Sequence, residues 1–291
     1  MQRRRFLALT ACALASPGLA SPVTWSGFAL GADVSLTFHT HPKRADAIIQ
    51  AVISKLREIE AAFSLYDPSS EISRLNRSKH IVPSAMFYDV IIHASKVNTL
   101  TQGKFDPTVQ TLWTALSQDH STLPQCQWSD VSMASDRIDL PDTVNLTLNG
   151  IAQGYATDVI KDLVYSHGFD QVLINMGEFY GLGGPWGIGV SDPEHGLVHR
   201  LTLKDRAIAT TSPKAMMITP TQGHVINPHG SSPAPWSTVS VTTSSATLAD
   251  GLSTGFSLLP MSKIKTALAN CPDQTMVTCV SEAGQVFIVG A

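Results

Sequence analysis

The sequence lacks an excess of positive charge. Its 20 lysine and arginine residues are outnumbered by 23 aspartate and glutamate residues, which leaves a formal net charge of −3 at pH 7. Without the three arginines near the N-terminus, the balance becomes 17 minus 23, or −6. Proteins whose main partner is a nucleic acid or an anionic membrane surface bind it through clustered basic residues. We therefore predict that neither is the main partner and expect no nucleic-acid binding.

The sequence also lacks an N-terminal hydrophobic run long enough to stay in a membrane. The apolar stretch at residues 6–14 is shorter than the about 20 residues that a permanent transmembrane helix needs. It follows three consecutive arginines and precedes small residues, which predicts an export signal over residues 1–20. The arginines match the twin-arginine pattern, so we predict a periplasmic protein exported by that route. A lipid anchor at Cys12, within a lipoprotein-like box, is the alternative.

Cysteine is scarce, and repeats and linkers are absent from the sequence. Beyond the predicted signal only Cys126, Cys271 and Cys279 remain. In an oxidising compartment Cys271 and Cys279 could form a disulfide and leave Cys126 single, whereas three small buried hydrophobic residues are an equally good interpretation. No internal repeat, low-complexity tract or linker divides the remaining sequence. We therefore predict a single domain over residues 21–291.

Hydrophobic periodicity predicts both helices and strands. Apolar residues recur at three- and four-residue spacing in some segments and alternate in others. The predicted helices cover residues 44–63, 86–101, 108–116, 156–164 and 247–259, with a further short helix capped by Ser70. The predicted strands cover residues 25–38, 144–148, 171–176, 186–190, 201–203, 207–212, 224–228, 237–243, 276–280 and 285–289. Residues 117–136 are polar and irregular, which predicts a flexible insertion.

The turn between the predicted strand at 144–148 and the helix at 156–164 has features of an anion-binding site. It contains Gly150 and Gly154 immediately before the helical pattern. Free amide groups and the dipole at a helix N-terminus both favour an anion. The spacing matches neither the dinucleotide fingerprint G-x-G-x-x-G nor the P-loop pattern. Taken alone, the glycines are better explained by the requirements of the turn itself.

Asp250 and Thr254 are candidate metal ligands. They are four residues apart on the predicted helix at 247–259, so they lie on one face. The other residues of that helix are mostly small or apolar, and a buried carboxylate without a partner is costly. Carboxylate and hydroxyl oxygens suit a hard cation such as Mg²⁺. From this helix alone, a solvated or ion-paired aspartate is the simpler interpretation.

Five segments, taken in order, resemble the motifs of one known family. They are YDPSSEISRLN at 66–76, GKFDPT at 103–108, NGIAQGYATD at 149–158, HVINP at 224–228 and ADGLST at 249–254. Their order and content are similar to the successive motifs of the ApbE family, the FAD:protein FMN transferases. The resemblance covers nearly the whole chain beyond the predicted signal. Five motifs in the same order are far more specific than any one of them.

The resemblance implies an α+β fold with mixed sheets, flanking helices and a cleft between two lobes that holds FAD. In such a fold Tyr66 would stack on the isoalloxazine, and Leu30 would replace a usual methionine beside it. The positions implied to contact FAD are Leu30, Tyr66, Lys104, Phe105, Asp106, Thr147, Gln153, Val225 and Ile226. The implied Mg²⁺ ligands are Asp250, Thr254 and the backbone carbonyl of Gly150. The implied catalytic residues are Asp250 and His224. Asp250 would act by holding Mg²⁺, and His224 would assist removal of the proton from the attacking hydroxyl.

The reaction implied by the resemblance is Mg²⁺-dependent transfer of FMN from FAD to a threonine of an exported or membrane flavoprotein acceptor, with release of AMP. Hydrolysis of FAD to FMN and AMP, and flavin binding without turnover, are the alternatives. Thr147 and Gln153 replace the family's usual aspartate and lysine, and NMGEF at 175–179 replaces Asn-Leu-Gly-Gly-Asp. Together with the arginine signal, these replacements are similar to the sequence pattern of the ApbE subgroup that serves nitrous oxide reductase maturation.

Overall fold

The structure is a computed structural model, and it describes residues 22–118, 124–125, 127–230 and 233–290. The predicted export signal, Cys12 and Cys126 lie outside the described residues. Within the described ranges, no helix combines the length and the apolar character needed to cross a membrane.

Helices and strands together cover most of the described residues. The helices are α1 (Pro42–Phe63), α2 (Glu71–Ser78), α3 (Ala85–Leu100), α4 (Val109–Ser117), α5 (Ala152–Ser166), α6 (Ala246–Phe256) and α7 (Met261–Leu268). The strands are β1 (Val23–Ala29), β2 (Ala32–Phe38), β3 (His80–Ile81), β4 (Ser132–Ala134), β5 (Arg137–Asp139), β6 (Val172–Asn175), β7 (Phe179–Leu182), β8 (Trp186–Asp192), β9 (Gly196–Leu203), β10 (Arg206–Thr211), β11 (Thr238–Thr243), β12 (Met276–Val280) and β13 (Val286–Gly290). The predicted α+β class is confirmed.

An eight-stranded sheet organises this part of the chain, in the order β1-β2-β6-β7-β10-β11-β12-β13. Each neighbouring pair is antiparallel. Because successive strand residues point to opposite faces, Ala207 and Ala209 of β10 join the main core, whereas Ile208 packs with the hairpin of β8 and β9. Helix α6 packs on β10 and β11 and also against α5. The two small alanines allow α6 to lie close to the sheet.

The predicted helices are confirmed, with small differences in their ends. Helix α2 begins after Ser70, whose hydroxyl accepts a hydrogen bond from the Ser73 amide at 3.2 Å. Helix α7 and strand β7 were not predicted. They contain eight and four residues respectively, which is too short for a periodic pattern to stand out.

The prediction of one strand over residues 25–38 is wrong, because the segment is a hairpin of β1 and β2. The turn consists of Leu30, at φ 52°, and Gly31, at φ 77°, and Ala29 pairs with Ala32 across it. A two-residue hairpin turn of this kind has positive φ at both central positions, a conformation that glycine adopts readily and leucine rarely. The leucine therefore concealed the turn.

Two further predicted strands, at 144–148 and 224–228, are also wrong. Residues 144–148 form no sheet ladder, because side chains take over their backbone hydrogen bonds. The Leu146 amide donates to Asn76 Oδ1 at 2.7 Å, and Asn76 Nδ2 donates to the Leu146 carbonyl at 2.9 Å. At 224–228 the His224 amide donates to the Met216 carbonyl at 2.9 Å, without a continuing ladder.

The predicted flexible insertion at 117–136 has regular structure over residues 128–134. A short 3₁₀ helix spans Trp128–Asp130 and leads into β4, which pairs with β5. The Trp128 side chain is buried, and its indole Nε1 donates to Ser95 Oγ at 3.1 Å. Burial of this large aromatic side chain anchors a segment that is otherwise polar.

Cys271 and Cys279 are both free thiols, so the disulfide that was one of the two interpretations is not present. Cys279 lies within β12 and is buried, and Cys271 is half-buried after α7. Burial raises the pKa of both thiols, that of Cys279 to about 12. The alternative interpretation, that these cysteines serve as small buried hydrophobic residues, therefore agrees with the structure.

Asp158 of α5 caps the N-terminus of α6. Its carboxylate accepts hydrogen bonds from the backbone amides of Ala246 and Thr247 at 3.0 and 2.9 Å. It also accepts from the hydroxyls of Ser245 and Thr247 at 2.8 and 2.6 Å. A carboxylate at this position satisfies free amide groups and favours the helix dipole. This one side chain therefore sets the position of α6 relative to α5.

We predict that Asp158→Ala lowers the free energy of unfolding by about 2 kcal/mol, because several buried donors lose their acceptor. Urea unfolding measures the effect. Asp162→Ala is the matched control on the same helix, since the Asp162 side chain is 73% exposed and forms a surface ion pair with Lys161. We expect that control to change stability by less than about 1 kcal/mol. Equal losses in both variants would contradict a capping role.

Candidate functional site

The first turn of α5 contacts α6 at Gly154. A Cβ at this position would lie 2.2 Å from the Ala246 carbonyl oxygen and 2.6 Å from Asp250 Cβ. Glycine is therefore required for the two helices to approach this closely. The approach lets the Gly154 amide donate to Asp250 Oδ2 at 2.9 Å. The glycine turn and the late aspartate, distant in the sequence, thus form one site.

Gly150 brings the turn against the other candidate metal ligand. A Cβ at Gly150 would lie 3.1 Å from Thr254 Oγ1 and 3.2 Å from the Phe105 ring. Gly150, Asp250 and Thr254 were predicted to act together, and the structure brings all three to the α5–α6 contact. Thr254 Oγ1 also lies 3.4 Å from Thr211 Oγ1, at the end of β10.

Glu178 and Thr211 belong to this site but were not predicted. Thr211 Oγ1 lies 2.7 Å from Ser253 Oγ. Glu178, on the turn before β7, is 7% exposed, and its Oε2 accepts from the Thr210 amide at 3.1 Å. The glutamate in NMGEF, where the resemblance leads one to expect glycine, was the available signal for Glu178. Thr211 offered none, since a hydroxyl at a strand end is ordinary.

The site contains two buried carboxyl groups, Asp250 and Glu178, and both have raised pKa values. Burial raises the pKa of Asp250 to about 7. Burial, and then the charge of Asp250, raise the pKa of Glu178 well above its usual value. In the described part of the chain neither carboxylate forms an ion pair with lysine, arginine or histidine. Such a pair favours bound protons or a bound cation.

The donor set at the α5–α6 contact fits Mg²⁺. It consists of the Asp250 carboxylate and nearby threonine hydroxyls, and hard cations prefer oxygen ligands of this kind. No cluster of three or more His, Cys, Asp or Glu side chains that could hold a metal occurs in the described ranges. Mg²⁺ does not need one, since water and phosphate oxygens complete its shell when only one or two carboxylates are present.

A small cavity adjoins these residues and collects most of the predicted flavin contacts. Its volume is about 50 Å³, whereas pockets for small ligands usually exceed about 300 Å³. The cavity therefore accommodates only part of a nucleotide-sized ligand, and the remainder would extend over the adjoining surface. The predicted site residues in its wall are Lys104, Phe105, Asp106, Thr147, Gly150, Val225, Ile226 and Thr254.

Two polar residues of the cavity wall are already engaged by the protein. Lys104 Nζ donates to Asn227 Oδ1 at 2.8 Å, and burial lowers the pKa of Lys104. Asp106 Oδ1 accepts from the Thr108 amide and hydroxyl at 2.8 and 2.6 Å, and Oδ2 accepts from the Trp128 amide at 3.1 Å. Asp106 thus shapes the wall and ties the 3₁₀ helix to it.

Leu30, Tyr66 and Gln153 do not line the cavity. Gln153 Nε2 lies 3.5 Å from the Leu30 carbonyl oxygen, which places the hairpin turn near the start of α5. A Cβ at Gly177 would lie 2.4 Å from the Gln153 side chain. Tyr66 follows α1 and is 88% exposed. An exposed aromatic ring has a free face on which a planar ligand can stack.

His224 directly precedes the two cavity residues Val225 and Ile226. Its Nδ1 lies 3.3 Å from the Met216 carbonyl oxygen, which only accepts hydrogen bonds. In the tautomer in which Nδ1 donates to this carbonyl, Nε2 keeps its lone pair. Burial lowers the pKa of His224, against the opposing effect of the Met216 and Pro213 carbonyls. The ring is neutral near pH 7 and able to accept a proton.

The raised pKa of Asp250 predicts that the metal-free protein loses stability as pH rises. The carboxyl group releases its proton near pH 3.8 when unfolded and near about pH 7 when folded. Between these values the folded state binds more protons, so the free energy of unfolding falls as pH increases. In EDTA, we expect the free energy of unfolding to fall less between about pH 5 and about pH 8 in Asp250→Asn than in wild type. The difference between the two falls should be at least about 1 kcal/mol. Urea unfolding at both values measures it, and an unchanged loss would contradict the shift.

Comparison with known proteins agrees with the sequence resemblance. The sequence profile of the ApbE family matches residues 30–278. The FAD:protein FMN transferase of Vibrio cholerae serotype O1 is 26% identical over 294 aligned residues, which cover 88% of each chain. The FAD:protein FMN transferase of Chlamydia pneumoniae is 26% identical over 140 residues, which cover 42% of this chain and 44% of the relative.

Solved structures share the fold. The flavin transferase ApbE from Vibrio cholerae superposes with a TM-score of 0.79 at 22% identity, covering 93% of this chain and 97% of that one. The ApbE protein from Thermotoga maritima gives a TM-score of 0.81 at 22% identity, covering 92% and 96%. Since the family profile spans most of the sequence and the fold agrees along nearly its whole length, the chain belongs to the ApbE family.

Proposed function

We propose that this protein transfers FMN from FAD to a threonine hydroxyl of an acceptor protein and releases AMP. The convergence of Gly150, Gly154, Asp250 and Thr254 beside the cavity carries the proposal. It joins a helix N-terminus, which favours phosphate, to a set of oxygen ligands that suits a divalent cation. Two relatives in the same family are named FAD:protein FMN transferases, which supports the proposed reaction.

The chain would hold Mg²⁺ through Asp250, Thr254 and the Gly150 carbonyl. When bound there, Mg²⁺ would neutralise charge on the diphosphate of FAD and polarise its phosphorus–oxygen bonds. The buried carboxyl group of Asp250 is held in place by the Gly154 amide. Hydrophobic wall residues such as Phe105 and Ile226 would exclude water from the diphosphate. The chain thus orients the substrate and limits competition by water.

The proposed reaction breaks one bond and forms one. The threonine hydroxyl oxygen attacks the phosphorus on the FMN side of the diphosphate, and the bond from that phosphorus to the bridging oxygen breaks. FMN is then attached through a phosphoester, and AMP leaves with the bridging oxygen. The hydroxyl proton passes to Nε2 of His224, whose neutral form the buried position favours.

The acceptor is proposed to be an exported or membrane flavoprotein that meets this enzyme in the periplasm. The export signal predicted at residues 1–20 supports that location. Folding of the enzyme before export would agree with the arginine pattern of the signal.

Mass spectrometry of three reactions distinguishes transfer from its alternatives. All three reactions contain the purified protein, FAD and Mg²⁺. The first has no acceptor, the second has an acceptor domain that carries a flavinylation threonine, and the third has the same domain in which that threonine is alanine. Transfer predicts an acceptor carrying covalent FMN and equal release of AMP in the threonine reaction only. FMN and AMP in all three reactions would indicate hydrolysis. Bound FAD without either product would indicate flavin binding alone.

We predict that Asp250→Ala abolishes transfer, since it removes the anionic ligand of the proposed cation site. The loss should exceed about 100-fold in covalent flavin formed per unit time. Asp250→Asn retains an oxygen that can accept from the Gly154 amide, so it separates the loss of charge from a loss of fold. Circular dichroism verifies folding, and normal turnover in either variant would contradict the metal assignment.

His224→Gln should slow transfer by about 10²- to 10⁴-fold, the usual contribution of a positioned base. The control is His199→Gln, because His199 lies on β9, in the two-stranded sheet that packs on the face of the main sheet opposite α6. Initial rates of AMP release measure both variants. If His224→Gln retains the wild-type rate across the pH range, another group accepts the proton.

A further inference from the structure

Glu178 directs its side chain to the face of the sheet that carries the proposed cation site. In the strand that follows, Phe179 packs with the β8–β9 hairpin, whereas Tyr180 joins the main core beneath α5, where Lys161 lies over its ring. Glu178 directly precedes this strand, in a turn that contacts α5 on the face of Tyr180. The carboxylate is held there by the Thr210 amide, at 3.1 Å from Oε2. The Glu178 carbonyl also accepts from Thr157 Oγ1 of α5, at 3.0 Å.

Glu178 and Asp250 carry charges that the described residues do not neutralise. They are 7% and 4% exposed, respectively. In the described residues their hydrogen bonds involve only Oε2 of Glu178 and Oδ2 of Asp250, which leaves one oxygen of each carboxylate free. Two buried carboxylates without a cation are unstable as a doubly charged pair. The free oxygens are therefore available to a ligand of positive charge.

The surrounding groups favour a hard cation as that ligand. Thr211, on the same face of the sheet as Glu178, places its hydroxyl between Ser253 and Thr254 of α6, at 2.7 and 3.4 Å. These are oxygen donors, which suits Mg²⁺ or Mn²⁺. The resemblance leads one to expect glycine at position 178, so this carboxylate departs from the usual family motif.

We infer that Glu178 supplies a second carboxylate to the divalent cation of this site, opposite Asp250. This inference rests on the proposed function, since it concerns the same cation. Two anionic ligands bind a divalent cation more tightly than one. The site therefore takes up its cation before FAD arrives, whereas a site with one carboxylate depends on the diphosphate to complete it.

Mn²⁺ titration of the full protein, followed by electron paramagnetic resonance with and without FAD, tests the inference. We expect wild type to bind Mn²⁺ without FAD and Glu178→Gln to bind it at least about tenfold more weakly. Glu194→Gln is the control, because Glu194 is exposed in the turn between β8 and β9. The Mn²⁺ affinity of this variant should equal that of wild type. Water proton relaxation should also show more water on Mn²⁺ bound to Glu178→Gln, which a purely structural role would not produce.

The outcomes separate this inference from the proposed function. Equal Mn²⁺ affinities for wild type and Glu178→Gln, with and without FAD, overturn the role of Glu178 and leave the site at Asp250 intact. Absence of Mn²⁺ binding to wild type under both conditions overturns the cation site of the proposed function as well. Glu178→Gln should remain folded, because it removes one of two like charges from a buried site. If it unfolds, Glu178→Asp, which keeps the charge and shortens the side chain, provides the same comparison.

Discussion

The close approach of α5 and α6 at Gly154 is the contact on which the site depends. Any side chain there would collide with the Ala246 carbonyl and with Asp250. With glycine, the backbone amide reaches the Asp250 carboxylate directly, and Gly150 comes against Thr254. The small alanines of β10 and the Asp158 cap hold α6 in the position that makes this possible. A few contacts between backbone atoms thus bring ligands from separate elements together.

The number of hydrogen bonds that each buried carboxylate accepts distinguishes the acids that stabilise the fold from those of the candidate site. Asp158 and Asp106 have both oxygens bonded to amides and hydroxyls of the chain, so their charges are satisfied within the fold. Asp250 and Glu178 each accept one hydrogen bond, and the charge of Asp250 raises the pKa of Glu178. Two buried carboxylates without a cationic partner reduce stability, and their presence at one place marks a site adapted to a ligand.

Local patterns predicted the helices well because their causes are local. The apolar stripe of α1 and the Ser70 cap of α2 act between residues three or four positions apart, and both are present as predicted. The extended segment at 144–148 shows the limit of that reasoning. Its alternating pattern is real, but Asn76, far away in the sequence, supplies the hydrogen bonds that a neighbouring strand would have provided. Alternation reports burial on one side and does not identify the hydrogen-bonding partner.

The sequence alone determined the family resemblance, the helices and most of the residues that surround the cavity, because motif order and periodicity are properties of the chain itself. Only the tertiary structure decided that Glu178 and Thr211 join Asp250 and Thr254, and that Asp106 is engaged by Thr108 and Trp128. The physical reason is that charge, burial and hydrogen-bond satisfaction depend on distances between elements. Those distances are set by how closely glycine and alanine allow the helices and the sheet to pack.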